Sequence, residues 1–179
     1  SANNIKGNKK ILFSVVRYGN VLGSRGSVIN EFIKQKENNL LKITDKEMTR
    51  FNIFVNDAVK MVLWAAKKAV GGEIIVPKLD SYKLLDLAKV IAPKTKIKIV
   101  GIRPGEKIHE SLISIGEGNN VIDIGNYYIL SENQKIKNYY LKNYKSKKVY
   151  FNREYSSKDN LINFEKLKSV LKKNKYLLS

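Results

Sequence analysis

The sequence predicts a layered α/β fold, on three observations. Short β-branched runs alternate with stretches whose apolar residues recur at helical spacing. Glycine and proline punctuate the junctions between them. The chain has 179 residues, 43% of them apolar, which is enough for a domain with its own core. Strands that alternate with helices bury their faces against one another as layers.

In order, residues 11–18 (ILFSVVRY) read as a buried strand that ends at Gly19, Gly23 and Gly26. Ser27 is placed to cap a helix over Val28–Glu37, where Ile29, Phe32 and Ile33 share a face. Residues 40–44 read as a short strand. Beyond the polar 45–50 stretch, Asn56 or Asp57 caps a helix to residue 69, with Ala58, Val59, Val62, Leu63 and Ala66 as its expected apolar stripe, and Gly71 and Gly72 end it. Residues 73–76 form a strand closed by Pro77. Ser81 is then read as the cap of a helix to residue 91, with Leu84, Leu85, Leu87, Ala88 and Ile91 on one side. A strand over 97–102, a turn at Pro104 and Gly105, and a helix over 106–113 follow. Residues 115–126 read as a loop, 127–130 as a strand and 164–173 as a helix.

Composition excludes several functions. There is no cysteine, so disulfide frameworks, thiol nucleophiles and Cys-based zinc sites are out, and a reducing, cytoplasmic setting is the default expectation. The longest apolar run, Met61 to Ala66, is six residues, against about 20 for a membrane helix. His109 is the sole histidine and has no companions at ligand spacing, so no metal site is expected. The chain starts at Ser1, with methionine only at 48 and 61, and is expected to be part of a longer protein.

The net charge of +18 invites a polyanionic partner, but its make-up argues otherwise. Of 34 basic residues 29 are Lys and 5 Arg, and residues 133–179 hold 13 basic and 3 acidic side chains, leaving +8 for the rest. Tyr interleaved with Lys in NYYLKNYKSKKVYF could stack bases and neutralise phosphates. No nucleic-acid-binding signature accompanies it, so a solvated surface is the preferred reading and nucleic acid an unlikely partner. The only Y-x-x-x-K match, Tyr144 and Lys148, lies in this lysine run without strand or glycine context, and is read as coincidence.

The arginines are more informative. In a chain that uses Lys for bare charge, Arg marks places that need a planar fork able to reach two oxygens, as diphosphates and carboxylates require. Arg17, Arg25, Arg50 and Arg103 lie in glycine, proline or strand-end contexts, which favours an anion-binding cleft; ion pairing with nearby carboxylates stays open for each singly. The strand, glycine loop and helix at 11–37 imitate a nucleotide-binding βαβ unit. However, the glycines are spaced G-x-x-x-G-x-x-G, where the dinucleotide turn needs G-x-G-x-x-G.

FSVVRYGNVLGSRGSV (13–28), ITDKEMTRF (43–51), GGEIIVPK (71–78), GIRPGEKIHE (101–110) and EYSSKDN (154–160) together resemble the C-terminal half of inverting UDP-N-acetylglucosamine 4,6-dehydratases. These are extended short-chain dehydrogenase/reductases of surface-glycan synthesis. The resemblance implies the last part of a Rossmann-type sheet plus the smaller C-terminal substrate-binding α/β lobe, over residues 1–132, with 133–179 as a basic extension ending in a helix. It implies an NADP-dependent, redox-neutral lyase reaction in which C4 is oxidised, water leaves across C5 and C6, and C6 is reduced. The catalytic Tyr/Lys pair and the glycine-rich cofactor loop of the family have no counterpart here, so no catalytic residue is expected in this chain. The chain alone is expected to be inactive, with NADP held mainly by an N-terminal half. By motif, Asn20 would meet the nucleotide-sugar phosphates and Val21 the nicotinamide through its backbone. Thr44, Arg50 and Arg103 would line the UDP site, Glu106 would accept from the ribose hydroxyls, and Arg25 is a weaker phosphate candidate. Arg17, inside the strand, is expected to be structural. UDP-N-acetylglucosamine is the implied ligand, with a homo-oligomer or a complementing N-terminal half as partner. A UDP-N-acetylhexosamine 4-epimerase is the alternative.

Overall fold

The structure, a computed structural model, describes Ile5 and residues 7–176. In chain order its elements are β1 (Val15–Val16), β2 (Val21–Leu22), α1 (Val28–Glu37), β3 (Leu40–Ile43), β4 (Thr49–Phe51), β5 (Ile53–Phe54), α2 (Val55–Lys68), β6 (Ile74–Pro77), β7 (Ser81–Lys83), α3 (Leu84–Ile91), β8 (Lys96–Ile99) and β9 (Ser111–Ile113). A 3-10 turn over Ile115–Asn120 leads to β10 (Val121–Asp123), β11 (Tyr127–Leu130), α4 (Gln134–Asn143), β12 (Lys147–Val149), β13 (Tyr155–Ser156) and α5 (Phe164–Lys173). No helix among the described residues is long and apolar enough to cross a membrane.

The chain forms two compact units. Among the described residues, those up to 18 with 56–78 and 112–155 build the first, and 19–55, 79–111 and 156–176 the second. Within residues 133–179, α4 belongs to the first unit and α5 to the second.

The first unit is a five-stranded sheet in the order β1-β6-β11-β10-β12. β1 and β6 are parallel, with Val15 opposite Ile74, and the remaining pairs are antiparallel. The expected strand over 11–18 shrinks to two residues, and Ile11, Leu12 and Phe13 are exposed. Helix α2 occurs where the periodicity puts it, but its buried face is Ala58, Met61 and Ala65, while Val59, Val62 and Leu63 face outward. The sequence is apolar almost all round this helix, so spacing alone fits two faces. Trp64 decides between them by packing on Tyr127, with ring centroids 4.8 Å apart, and on Tyr144 at 6.0 Å. The lysine-rich segment hides the unforeseen α4, whose Tyr140 is fully buried and donates to Glu73 Oε1 at 2.9 Å. Tyr144 terminates α4 and Lys148 sits in β12, so the Y-x-x-x-K pair shares no helix face.

Arg17 is structural here. Its guanidinium grips Glu117 through both nitrogens at 2.8 and 2.9 Å and donates to the Leu112 carbonyl at 3.0 Å. That bidentate bond, with further donors from Ser114, lowers the Glu117 carboxyl to about 2. A carboxyl with a depressed folded-state value stabilises the fold above its unfolded value, about 4.3, and loses that contribution as pH falls towards the folded value. Urea midpoints measured between pH 5 and pH 2 are expected to fall less steeply in Arg17→Ala than in the parent. Parallel pH profiles would refute this.

The second unit pairs β2 with β5 and β3 with β8 in parallel, and β4 with β7 antiparallel. Helices α1, α3 and α5 pack over them around Leu22, Ile29, Phe32, Leu41, Ile43, Met48, Tyr82, Leu87, Leu167 and Leu171. Helices α1 and α5 match the ranges their periodicity predicts. Ser81 is not a helix cap but the first residue of β7, because Arg50 and Phe51 of β4 pair with Tyr82 and Ser81. The Ser81 amide also donates to Asn160 and its carbonyl accepts from Ile162, both 2.9 Å. Long-range backbone pairing on two sides outweighs a local cap worth about 1 kcal/mol.

Candidate functional site

The segment 101–110 was expected to turn helical at residue 106; it remains irregular as far as β9. Its backbone groups are committed elsewhere, since the Ile108 carbonyl accepts from the Thr49 amide at 3.0 Å and the Glu110 carbonyl from the Ser157 amide at 2.8 Å. The Glu110 amide donates to Ser157 Oγ at 2.9 Å. Thr49 Oγ1 lies 2.7 Å from Ser157 Oγ and 2.8 Å from His109 Nδ1. The sole histidine is therefore part of a hydroxyl network that ties this loop to β4 and to the EYSSKDN motif. Among the described residues no cluster of three or more His, Asp or Glu could hold a metal ion.

Beside this loop the second unit opens into a cleft of about 900 Å³. Its walls bring together Asn20, Thr44, Arg50, Arg103 and Glu106, which the sequence singles out in three separate segments. Arg25 does not line it and is exposed in the turn before α1. Lys42, Lys107, Glu31 and Glu110 also face the cleft. The sequence reading missed them because lysine is common throughout the chain and Glu110 lacks a distinguishing neighbour within GIRPGEKIHE.

Arg50 is the best-held charge in the cleft. It is 9% exposed, and its Nη1 donates to the carbonyls of Thr49 and Ile108 at 2.7 and 3.1 Å. Nε lies 3.4 Å from Glu110 Oε1, while Nη2 is only loosely paired, 3.8 Å from Glu106 Oε1. The Glu106 carboxylate accepts from the Arg103 amide at 3.3 Å and, at the long limit of 3.5 Å, from Thr44 Oγ1. The Arg103 side chain makes no hydrogen bond or ion pair among the described residues and is exposed at the cleft. The cleft thus holds one fixed guanidinium, one free guanidinium and a carboxylate whose contacts are long enough to exchange. Such a set can bind an anion and accept from hydroxyl groups.

A dinucleotide cofactor does not fit the glycine loop. A Cβ at Gly19 would stand 2.6 Å from the Phe51 Cβ, and one at Gly23 would overlap the Tyr176 hydroxyl, so these glycines admit the protein's own side chains rather than a pyrophosphate. Val21, the expected nicotinamide contact, pairs with Ile53, and its carbonyl accepts from both the amide and the hydroxyl of Ser24, at 3.3 and 2.8 Å.

The sequence pattern of the polysaccharide biosynthesis protein family matches residues 1–132. The chain belongs to this family. Within the polysaccharide biosynthesis protein family it is 48% identical, over 138 residues, to an inverting UDP-N-acetylglucosamine 4,6-dehydratase of Campylobacter jejuni, covering 76% of this chain and 41% of the relative. It is 43% identical over 135 residues to a UDP-glucose 4-epimerase of Rickettsia bellii, covering 73% of this chain and 40% of that protein. The chain thus spans about two fifths of the length of these relatives. Among solved structures it superposes with a TM-score of 0.86 on Pen from Bacillus thuringiensis, at 33% identity, over 98% of this chain and 54% of that one. The fold of this polysaccharide biosynthesis family member is α/β, the last part of a Rossmann-type sheet with the smaller lobe of an extended short-chain dehydrogenase/reductase.

Proposed function

We propose that this chain carries the UDP-sugar-binding portion of a UDP-N-acetylglucosamine 4,6-dehydratase. The observation that supports this most is the convergence of Asn20, Thr44, Arg50, Arg103 and Glu106 on one cleft. Its volume lies within the range of small-molecule sites, roughly 300–1,000 Å³. Arg50 and Arg103 pair with the diphosphate, Asn20 donates to a phosphate oxygen, Glu106 accepts from the ribose hydroxyls and Thr44 lines the nucleotide. Arg25, exposed outside the cleft walls, is left as a distal phosphate contact.

The 4,6-dehydratase reaction is redox-neutral, with C4 oxidised and C6 reduced as water leaves across C5 and C6. NADP supplies the hydride acceptor and donor for it. Given the misfit of the glycine loop, no step of that chemistry is assigned to residues of this chain. A 4-epimerase of the same family is the second reading, favoured by the 43% identity to the Rickettsia epimerase. Product analysis of the whole protein, a 4-keto-6-deoxy sugar against a C4 epimer, separates the two.

Calorimetry with UDP tests binding directly. Arg103→Ala removes one charge-assisted contact and is expected to weaken UDP by about 1.5–3 kcal/mol. Its melting temperature should hold, because the side chain is exposed and unpaired among the described residues. Unchanged affinity would remove Arg103 from the site, and no UDP binding by the parent chain would overturn the assignment.

A further inference from the structure

One carboxylate in the cleft has no part in the binding set above, yet it touches two members of that set. Glu110 accepts from the Asn20 amide, in the orientation that satisfies both partners, at 2.6 Å to Oε1 and 3.3 Å to Oε2. Its Oε1 also lies 3.4 Å from Arg50 Nε, and it takes a hydrogen bond from the Phe51 amide. Beside it Gly19 packs on Phe51, where an added Cβ would stand 2.6 Å from the Phe51 Cβ and at ordinary contact distance, 3.6 Å, from Glu110 Oε2. The side chain is 24% exposed, enough to face the cleft while its oxygens stay occupied by protein donors.

We propose that Glu110 is the positioning residue of this cleft: its carboxylate fixes the Asn20 amide and the Arg50 guanidinium in the orientation from which both meet the diphosphate of a nucleotide sugar. This rests on the nucleotide-sugar reading of the same cleft. The two contacted groups come from segments far apart in sequence, 19–20 and β4. An Asn side chain on a glycine-rich loop has free rotamers, and a carboxylate that accepts from its amide removes that freedom before the ligand arrives. Arg50 is constrained in the same way, with Nε held by Glu110 and Nη1 by two carbonyls, so that Nη2, whose partner among the described residues is distant, is left to the ligand. A carboxylate beside a diphosphate would ordinarily repel it; here its charge is opposed by Arg50, and burial raises its carboxyl above the ordinary value.

A double-mutant cycle on the 179-residue chain, read by UDP affinity, tests the proposal. Asn20→Ala is expected to weaken UDP about tenfold in the parent and less than twofold in Glu110→Ala, because without Glu110 the amide is no longer aimed. Arg103→Ala, which does not touch Glu110, should keep its full effect in both backgrounds. Glu110→Gln retains an acceptor for Asn20 and for the Phe51 amide, so it should recover much of the affinity lost in Glu110→Ala; it also serves if the alanine variant fails to fold. Independent, multiplying effects of Asn20 and Glu110, or a Gln variant as weak as Ala, would overturn the positioning role while leaving the nucleotide-sugar reading intact. Absence of UDP binding by the parent chain would instead overturn that reading, and this role with it.

Discussion

Arg50→Ala is expected to be the most damaging single substitution in the second unit. The guanidinium stands between Glu106 and Glu110 and satisfies the Thr49 and Ile108 carbonyls. Removing one partner of a buried ionic cluster typically costs about 3 kcal/mol or more, because the remaining charges are left desolvated and uncompensated. For a chain of this size that corresponds to a fall in melting temperature of roughly 6–12 °C. The loss should be pH-dependent with a definite sign. Burial already raises the Glu110 carboxyl and Arg50 opposes that rise; without Arg50 it rises further, the folded form holds more protons, and stability falls as pH rises. Arg50→Ala should therefore lie closer to the parent at pH 5 than at pH 7 in thermal melts. Arg50→Lys should recover only part of the loss, since a point charge cannot satisfy two carbonyls and two carboxylates in one plane. A melting temperature within 2 °C of the parent, as for a surface change of roughly 0.5 kcal/mol, would mean that the cluster contributes little.

Gly19→Ala is expected to be the second largest, and to act on binding more than its size suggests. The added methyl would press on the Phe51 Cβ at 2.6 Å, a backbone-anchored atom in β4 that cannot swing aside. Overpacking of this kind costs typically 1–3 kcal/mol. The chain at 19–20 must retreat, which carries Asn20 away from Glu110 and out of the cleft. UDP affinity is expected to fall by at least tenfold, with a smaller drop in melting temperature than for Arg50→Ala. Gly125→Ala is the control: φ is +93°, nothing lies within 4 Å of the added atom, and the residue does not line the cleft. It should cost the strain of a left-handed alanine, about 1 kcal/mol, without a comparable loss of affinity. Equal affinity losses in the two variants would mean that loop strain, not the approach to Phe51, governs the site.

Helices α1 and α5 were legible because a single apolar stripe and a polar remainder leave one way to bury each of them. α2 was legible in position and illegible in orientation, for the opposite reason: apolar residues surround it, and only the Trp64 contacts choose a face. α4 was hidden because its lysines dominate local composition, while the residue that anchors it, Tyr140, is held by Glu73 from 67 positions earlier in the chain. Segment 106–110 failed as a helix because its backbone bonds reach Thr49 and Ser157, partners that no local window contains.

The same division runs through the site. The scarcity of arginine and the quoted motifs marked Asn20, Thr44, Arg50, Arg103 and Glu106 by residue type, because a diphosphate and a ribose demand particular donors and acceptors whatever the fold. Tertiary structure alone decided that Arg17 closes on Glu117 inside the first unit while Arg50 faces a cleft in the second. It also decided that Gly19 and Gly23 make room for Phe51 and Tyr176, and that Glu110 sits at the junction of Asn20 and Arg50. Chemistry of type is written one residue at a time, and the sequence by itself determined it. A carboxylate's partners are set by distance, and distance exists only once segments remote in sequence have packed.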